Sequence, residues 1–373
     1  MEELLQWMEV IEDVRQQAKV RHSLKDIVAI VLFATLANAD TWEEIEDFAK
    51  SHEEYLGKYL ELKNGIPSHD TIQRAMGMIR TEYLQQLQLK WQELLNSNEG
   101  ELIKKIICID GKTMRANKKK DGKPNHIVSA WCREDGYCLG QKTVSEKSNE
   151  ITAIPEVLES IKIKGQVVTI DAMGTQTEIA AKIKERRADY VLALKGNQRT
   201  LYEDVKLFFA EKEVRKKIKE QGNYCRTMEK AHGQIEIREY YQTEDMKWLS
   251  QKKNWKGLKS IGMEEKTIQK EGKEQKEYRY YISSLKCDIE LFSRAVRGHW
   301  AVESMHWQLD VTFKEDANHT LDKLAAQNQN VIRKWCISIL KLIEIRGKKM
   351  SMPRKRFNIS MNPIKYLEEL LSI

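Results

Sequence analysis

The sequence predicts an α/β fold: a mixed sheet with carboxylates at two strand ends, preceded by an all-helical region and interrupted by a β-rich insertion. Three observations predict it. Residues 1–98 carry helical signals alone; from Ile103 short apolar runs alternate with helical stretches; and two of those runs end in an aspartate, Asp110 and Asp171. With 373 residues and 41% hydrophobic content, the chain has material for two or three domains with genuine cores. Five prolines and eighteen glycines argue against a disordered or collagen-like chain.

In the helical region, Ser23 followed by Asp26 and Thr41 followed by Glu44 resemble N-terminal capping boxes that open successive helices. The apolar run from Ile27 to Ala37 reads as a buried helix, too short to span a bilayer. Gly65, Pro67 and Ser68 break the chain before a helix from about Thr71, with Gln73 and Arg74 near its start. That turn and helix fit a helix-turn-helix, so DNA binding is one role for residues 1–98, but an ordinary helical hairpin is the preferred reading.

Residues 99–198 supply most of the sheet. Ile106 to Ile109 is a buried strand with a polar exit at Asp110-Gly111. His126 to Trp131 and Tyr137 to Val144 form a hairpin across Asp135-Gly136. A helix comes next, from about Ile151 to Ile161, then the strand Val167 to Ile170 ending at Asp171, a helix from about Gln176 to Arg187, and the strand Tyr190 to Leu194. Three strands, helix, strand, helix, strand is the order of an RNase H-like fold, by analogy at the level of the fold. Neighbouring strand ends would then bring Asp110 and Asp171 to one edge of the sheet, where open α/β sheets bind ligands.

Residues 199–285 read as the β-rich insertion, with a charged helical stretch (Glu211 to Glu220) before the alternating runs Ile235 to Tyr241, Lys259 to Gln269 and Glu277 to Ile282. Residues 286–320 hold the final core helix, from about Ile289 to Phe313. Residues 321–373 form a helical, basic C-terminal tail in which Arg346, Lys348, Lys349, Arg354, Lys355 and Arg356 cluster, read as a solvated tail.

A net charge of +7 suits a nucleic-acid partner without requiring one. Six scattered cysteines with no C-x-x-C pair argue against a zinc knuckle or redox motif and for a reducing compartment. The start, with Glu2 and Glu3, lacks the basic region of a signal peptide. A soluble, cytoplasmic protein with no membrane partner is expected.

Cutting or joining a phosphodiester needs a nucleophilic oxygen, a stabilised pentavalent phosphorus and a stabilised leaving oxygen. Two magnesium ions roughly 3.5–4 Å apart meet those needs. Magnesium takes hard oxygen ligands and keeps several waters, so two or three carboxylates suffice, and manganese is a possible substitute. On the final helix, His299, Glu303, His306 and Asp310 come at steps of four, three and four and fall on one face. Glu303 is the third acid and Asp310 the alternative; a solvated polar stripe is the plain reading of that face. A zinc site from His299, Glu303 and His306 is the lesser reading, since strand-end aspartates call for magnesium.

Several segments together resemble the H-repeat-associated (ISAs-type) transposases of bacterial insertion sequences, of the DDE superfamily. They are Asp110-Gly111-Lys112-Thr113-Met114-Arg115, Lys147 to Ile151, Thr169 to Met173, Lys195-Gly196-Asn197-Gln198, and His299-Trp300 through Glu303 to Leu309-Asp310-Val311. Arg21 to Leu24 and Ile66 to Thr71 resemble that family's associated N-terminal domain. The resemblance implies a catalytic Asp-Asp-Glu set on Asp110, Asp171 and Glu303, cutting of element ends (terminal inverted repeats) and joining to target DNA. Bringing two ends together implies a homo-oligomer on DNA. Many related transposases place Arg four positions before the glutamate and Lys seven after; here those positions are His299 and Asp310, so they are accessory at most. An RNase H-like nuclease or resolvase, or a transposase-derived DNA-binding protein without catalysis, are the alternatives.

Lys112, Arg115, Lys118, Lys119, Lys120 and Lys123 come after the first aspartate with only Asp121 opposing them. Beside a metal site such a loop would hold the phosphate backbone without reading sequence, which favours DNA contact for Lys112 and Arg115. Lys195, Asn197 and Gln198 come after a core strand and suit phosphate or base edges, or the capping of a helix. Trp300 and Trp307 suit stacking on a base or packing on the sheet.

Overall fold

The computed structural model describes residues 2–9, 11–96, 104–117, 122–144, 150–231, 233–347 and 349–371. The expected domain boundary at 98/99 and Lys118 to Lys120 lie outside the described residues. Among those described, no helix is long and apolar enough to cross a membrane.

The chain opens with α1 (Glu2–Met8), α2 (Leu24–Leu36), α3 (Trp42–Ser51), α4 (Glu53–Leu56), α5 (His69–Met76) and α6 (Thr81–Asn96). Local chemistry sets the starts. The Ser23 hydroxyl accepts the Asp26 N–H, and Thr41 and Glu44 close a reciprocal capping box. Helix α2 is apolar almost all round and buried, as its sequence requires.

The sheet then forms from β1 (Ile106–Thr113), β2 (His126–Cys132), β3 (Tyr137–Val144), β4 (Val167–Ile170) and β5 (Asp189–Leu194), with α7 (Glu150–Ser160) and α8 (Thr177–Glu185) between them. β1 pairs antiparallel with β2 and parallel with β4, β2 antiparallel with β3, and β4 parallel with β5. The spatial order 3-2-1-4-5 with one parallel half is the RNase H-like arrangement.

The insertion holds α9 (Arg199–Ala210), α10 (Lys212–Glu220), β6 (Tyr224–Ala231), β7 (Gln234–Thr243), β8 (Ser260–Lys270) and β9 (Lys273–Ser283). The β8–β9 hairpin turns through Glu271 (φ 51°) and Gly272 (φ 75°), as a two-residue turn with left-handed centres requires. The insertion is not a separate sheet: β9 pairs with β5, Tyr280 beside Leu194, and continues the core sheet to nine strands.

The final core helix departs from the expected single rod. α11 (Ile289–Gly298) and α12 (Trp300–Trp307) meet at Gly298, and a π-helical turn spans Gln308–Thr312. Gly298 packs so closely on the sheet that a Cβ there would lie 2.6 Å from Arg133 Cδ, and its carbonyl accepts the Cys108 thiol at 3.2 Å. The π turn inserts extra backbone and rotates the residues beyond it, so the four-three-four spacing no longer holds one face through Asp310.

The solvated-tail reading is corrected for much of residues 321–373. α13 (Lys323–Leu342) is buried against α2, α5, α6 and β3, and α14 (Met352–Met361) and α15 (Pro363–Leu371) complete the chain. The polar side chains of α13 join segments distant in sequence: Asn328 donates to the carbonyls of Met76 and Ile79, and Lys334 to Ser129 and Gln141. Arg356 is fully buried, donating to the Thr35 and Thr312 carbonyls and paired with Asp40 at 2.8 Å, while Lys355 caps the Leu340 and Ile343 carbonyls. A basic cluster looks solvated from composition alone; here the orphan carbonyls at the ends of α2, the π turn and α13 claim the charges of Lys355 and Arg356. Lys349 and Arg354 stay exposed.

Candidate active site

In the parallel β1–β4 pair, Ile109 lies beside Ile170, so Asp110 and Asp171 leave the sheet at the same edge. Strand side chains alternate between faces. Ile107, Ile109, Val168 and Ile170 join the core with α7 and α8, whereas Ile106, Cys108 and Val167 join the core with α11 to α13. Asp110 and Asp171 share the parity of the second set and so face α12, which carries Glu303.

Each aspartate has one oxygen fixed by backbone. Asp110 Oδ1 accepts the Gly111 N–H at 2.8 Å, and Asp171 Oδ1 accepts the Gly174 N–H at 3.0 Å. The Thr175 hydroxyl bridges the Asp171 and Ala193 carbonyls, tying the β4 exit to β5. Exposed Glu303 and half-buried Asp171 line one cavity with Lys195, Arg279, His299 and Trp300.

Burial pushes the Asp110 carboxyl up to about 7, helped by the negative charges of Asp171, Glu150 and Glu303. Burial also raises Glu303, against the pull of Arg279 and Lys195. The nearby imidazoles do not balance this charge. Burial lowers His299 to about 4, and burial with Lys334 and Lys112 lowers His306 to about 3, so both rings are neutral at pH 7. His299 Nδ1 shares a hydrogen bond with the Thr169 hydroxyl, while His306 Nδ1 lies 3.6 Å from Asp110 Oδ2. The two rings thus turn to different partners and do not converge with Glu303 as a zinc set.

Among the described residues, no three His, Cys, Asp or Glu side chains close into a ready-made ligand set. Acids at an open edge, with Asp110 raised by burial and further by its neighbours' charges, fit a hard divalent cation such as magnesium, which keeps waters and takes substrate phosphate oxygens rather than a full protein cage.

The basic residues sort differently from expectation. The Lys112 side chain is 10% exposed, and its ammonium is bound by Asp310 (2.7 Å), Glu315 (2.9 Å) and Asp316 (3.3 Å). The DNA contact expected of Lys112 is therefore corrected, because three carboxylates hold its charge; the same pairing occupies Asp310, the alternative third acid. The Arg115 side chain is 83% exposed and, among the described residues, pairs with Asp316 at 3.5 Å. Lys195 stands exposed at the cavity. The side-chain amides of Asn197 and Gln198 donate to the Ala172 and Thr175 carbonyls, so these groups brace the loop behind Asp171, and the Gln198 side chain does not cap α9.

Three residues escaped sequence reasoning. Arg279 reaches the cavity because the β9–β5 pairing puts it beside Lys195, and its guanidinium lies 5.0 Å from the centre of the Trp300 ring. Its alternating strand was visible in sequence, but that strand's partner was not. Buried His126 and Glu150 meet behind Asp110: His126 Nδ1 bonds with the Thr113 hydroxyl at 2.8 Å and Nε2 with Glu150 at 3.2 Å. They come so close that a Cβ at Gly111 would lie 2.4 Å from His126 Nε2, which explains a glycine after the aspartate. Glu150 closes the polar run that precedes α7 and is that helix's first residue, and nothing in its neighbours signals this pairing.

A family model described as Transposase DDE domain matches residues 101–339, running into α13, and the DDE_Tnp_1-associated model matches residues 5–92. YncI of Escherichia coli O157:H7 is 39% identical over 380 residues, covering 100% of this chain and 95% of the relative. The H repeat-associated protein YhhI of Escherichia coli strain K12 is 37% identical over 348 residues, covering 91% of this chain and 90% of the relative. Both are named for transposases. A solved piggyBac transposase synaptic complex with hairpin DNA overlaps with a TM-score of 0.41 at 9% identity, over 100% of this chain and 80% of that one.

Proposed function

Since the chain belongs to the transposase DDE-domain family, we propose that it cuts DNA at the ends of an insertion element and joins them to target DNA. Asp110, Asp171 and Glu303 are the proposed ligands of two divalent cations, magnesium or manganese. The observation that carries this reading is that Asp171 and Glu303, from β4 and α12, share one cavity, and that their negative charges add to burial in raising Asp110, on the neighbouring strand end, to about 7. Two cations bound there would supply Lewis-acid stabilisation of the attacking and leaving oxygens of an in-line displacement.

The chain's own residues do the rest. The Gly111 and Gly174 amides hold the two aspartates in place. Lys195 and Arg279, on the cavity wall beside Glu303, meet the negative charge of a scissile phosphate. Trp300 under Arg279 keeps that guanidinium at the rim. Two ends must be cut and joined together, so the proposal includes a homo-oligomer on DNA.

Purified protein with magnesium and DNA bearing its own element ends is expected to nick those ends and transfer them. Inactivity on authentic ends in both magnesium and manganese would overturn the reading. Glu303→Gln is expected to abolish cutting with end binding retained. Because Glu303 is exposed, its folding stability should stay within about 0.5 kcal/mol of the parent, as for ordinary surface changes. Gel assays of cutting and binding, with a thermal melt, check all three outcomes.

A further inference from the structure

A second basic feature lies away from the carboxylates. A cleft of about 690 Å³ opens in the helical region between the segment before α2 and helix α5. Its lining carries Arg15, Lys19, Arg21 and Arg74, with His22 and the Ser68 hydroxyl, and no carboxylate. Arg15 is the structural cation of the set, paired with Asp13 at 2.6 Å and donating to the His22 carbonyl at 2.9 Å. Lys19, Arg21 and Arg74 are exposed, and among the described residues none has an acid within ion-pair distance. Asn64 donates to the Arg21 carbonyl and Arg74 to the Asp70 carbonyl, so the backbone at one cation and the side chain of another are held. Burial lowers His22, and Arg15 and Arg21 lower it further against the opposing charge of Asp26.

The cleft is joined to the catalytic edge by short, specific contacts. At its Met78 end, Gly77 packs on the carboxylate of Asp322, the residue that caps α13. Two residues earlier, the Thr320 carbonyl accepts the side-chain amide of Asn117. Asn117 stands two residues after exposed Arg115, and the Arg115 N–H donates to Asp316. One loop, 315–322, therefore anchors both the strand that carries Asp110 and the rim of the cleft.

From this we propose that the cleft binds the sugar–phosphate backbone of duplex DNA outside the cutting site. It would fix the position of the DNA whose strand enters between Asp110 and Glu303. Cations and hydroxyls that meet phosphate set register without reading sequence. The proposal rests on DNA being the substrate of the carboxylate site, and it places a further anchor in the helical region.

The test is the salt dependence of binding to a fluorescent 30-base-pair duplex of random sequence, with the full chain in metal-free buffer. In the triple variant Lys19→Gln/Arg21→Gln/Arg74→Gln, the slope of log K against log salt should become shallower by about 0.9 for each phosphate no longer neutralised, or about 2.7 for three. Affinity at low salt should fall at least tenfold. Arg21→Lys/Arg74→Lys, which keeps the charges, should keep the parent slope, and that result separates removal of charge from failure to fold. A parent slope in the triple variant overturns the cleft assignment alone. A parent chain that shows no salt-dependent duplex binding overturns both the cleft and the DNA reading. Binding of polyglutamate in the cleft in preference to duplex overturns the cleft as a DNA site.

Discussion

Asp110→Asn is expected to abolish strand cutting and, in metal-free buffer at pH 8, to make the protein more stable than its parent. Asparagine keeps the Oδ1 that accepts the Gly111 N–H but lacks the charge that Asp171, Glu150 and Glu303 oppose. The folded chain holds a proton on Asp110 until about pH 7, whereas the unfolded chain releases it near 3.8. Stability is therefore lost progressively as pH rises from 3.8 to about 7, and the full cost stands above that window. At ~1.4 kcal/mol per pH unit the cost is on the order of 4 kcal/mol at most. Thermal melts in EDTA should show the variant ahead at pH 8 and the two converging towards pH 4. Millimolar magnesium should then raise the parent's melting temperature more than the variant's, since a ligand that binds only the folded state stabilises it. A variant less stable than its parent at pH 8 would mean that Asp110 is a structural acid.

Both aspartates were legible in the sequence. Asp110 and Asp171 stood at strand ends because apolar runs of four stop at an acid, and the β1–β4 pairing puts them side by side. The hairpin at Gly136 was readable because left-handed positions select a few residue types. Contacts between elements far apart in the chain were not readable. Arg279 enters through a strand pairing that no local pattern encodes, and the His126–Glu150 pair through two elements meeting over a glycine. The break at Gly298 and the π turn at Gln308–Thr312 lie inside a continuous helical pattern, so a 3.6-residue period passes through both. The same limit explains Lys112 and Arg356: a charge count treats a lysine or arginine as free until the fold supplies its carboxylates and carbonyls.

Lys112 and Arg115 were alike in sequence, and their variants should now behave in opposite ways. Lys112→Met removes the cation that Asp310, Glu315 and Asp316 share. Glu315 is fully buried and, among the described residues, is left with Arg333 at 3.6 Å and the Asn330 amide at 2.8 Å. Breaking a buried ion pair from one side costs roughly 3–5 kcal/mol, so the variant should melt well below the parent without DNA present. Its pH profile should change too. Lys112 and Arg333 hold Glu315 near 2 despite burial, so its stabilisation is present above about 4.5 and lost as pH falls from there towards 2. Acid melts of Lys112→Met should lose much of that drop. Arg115→Gln, at an exposed position, should leave the melting temperature unchanged and flatten the salt slope of DNA binding by about 0.9. A stable Lys112→Met with a flattened slope would return Lys112 to the DNA interface. The expected pattern makes Lys112 the tie between β1 and the 315–322 loop, and so a residue that keeps Asp110 where α12 can meet it.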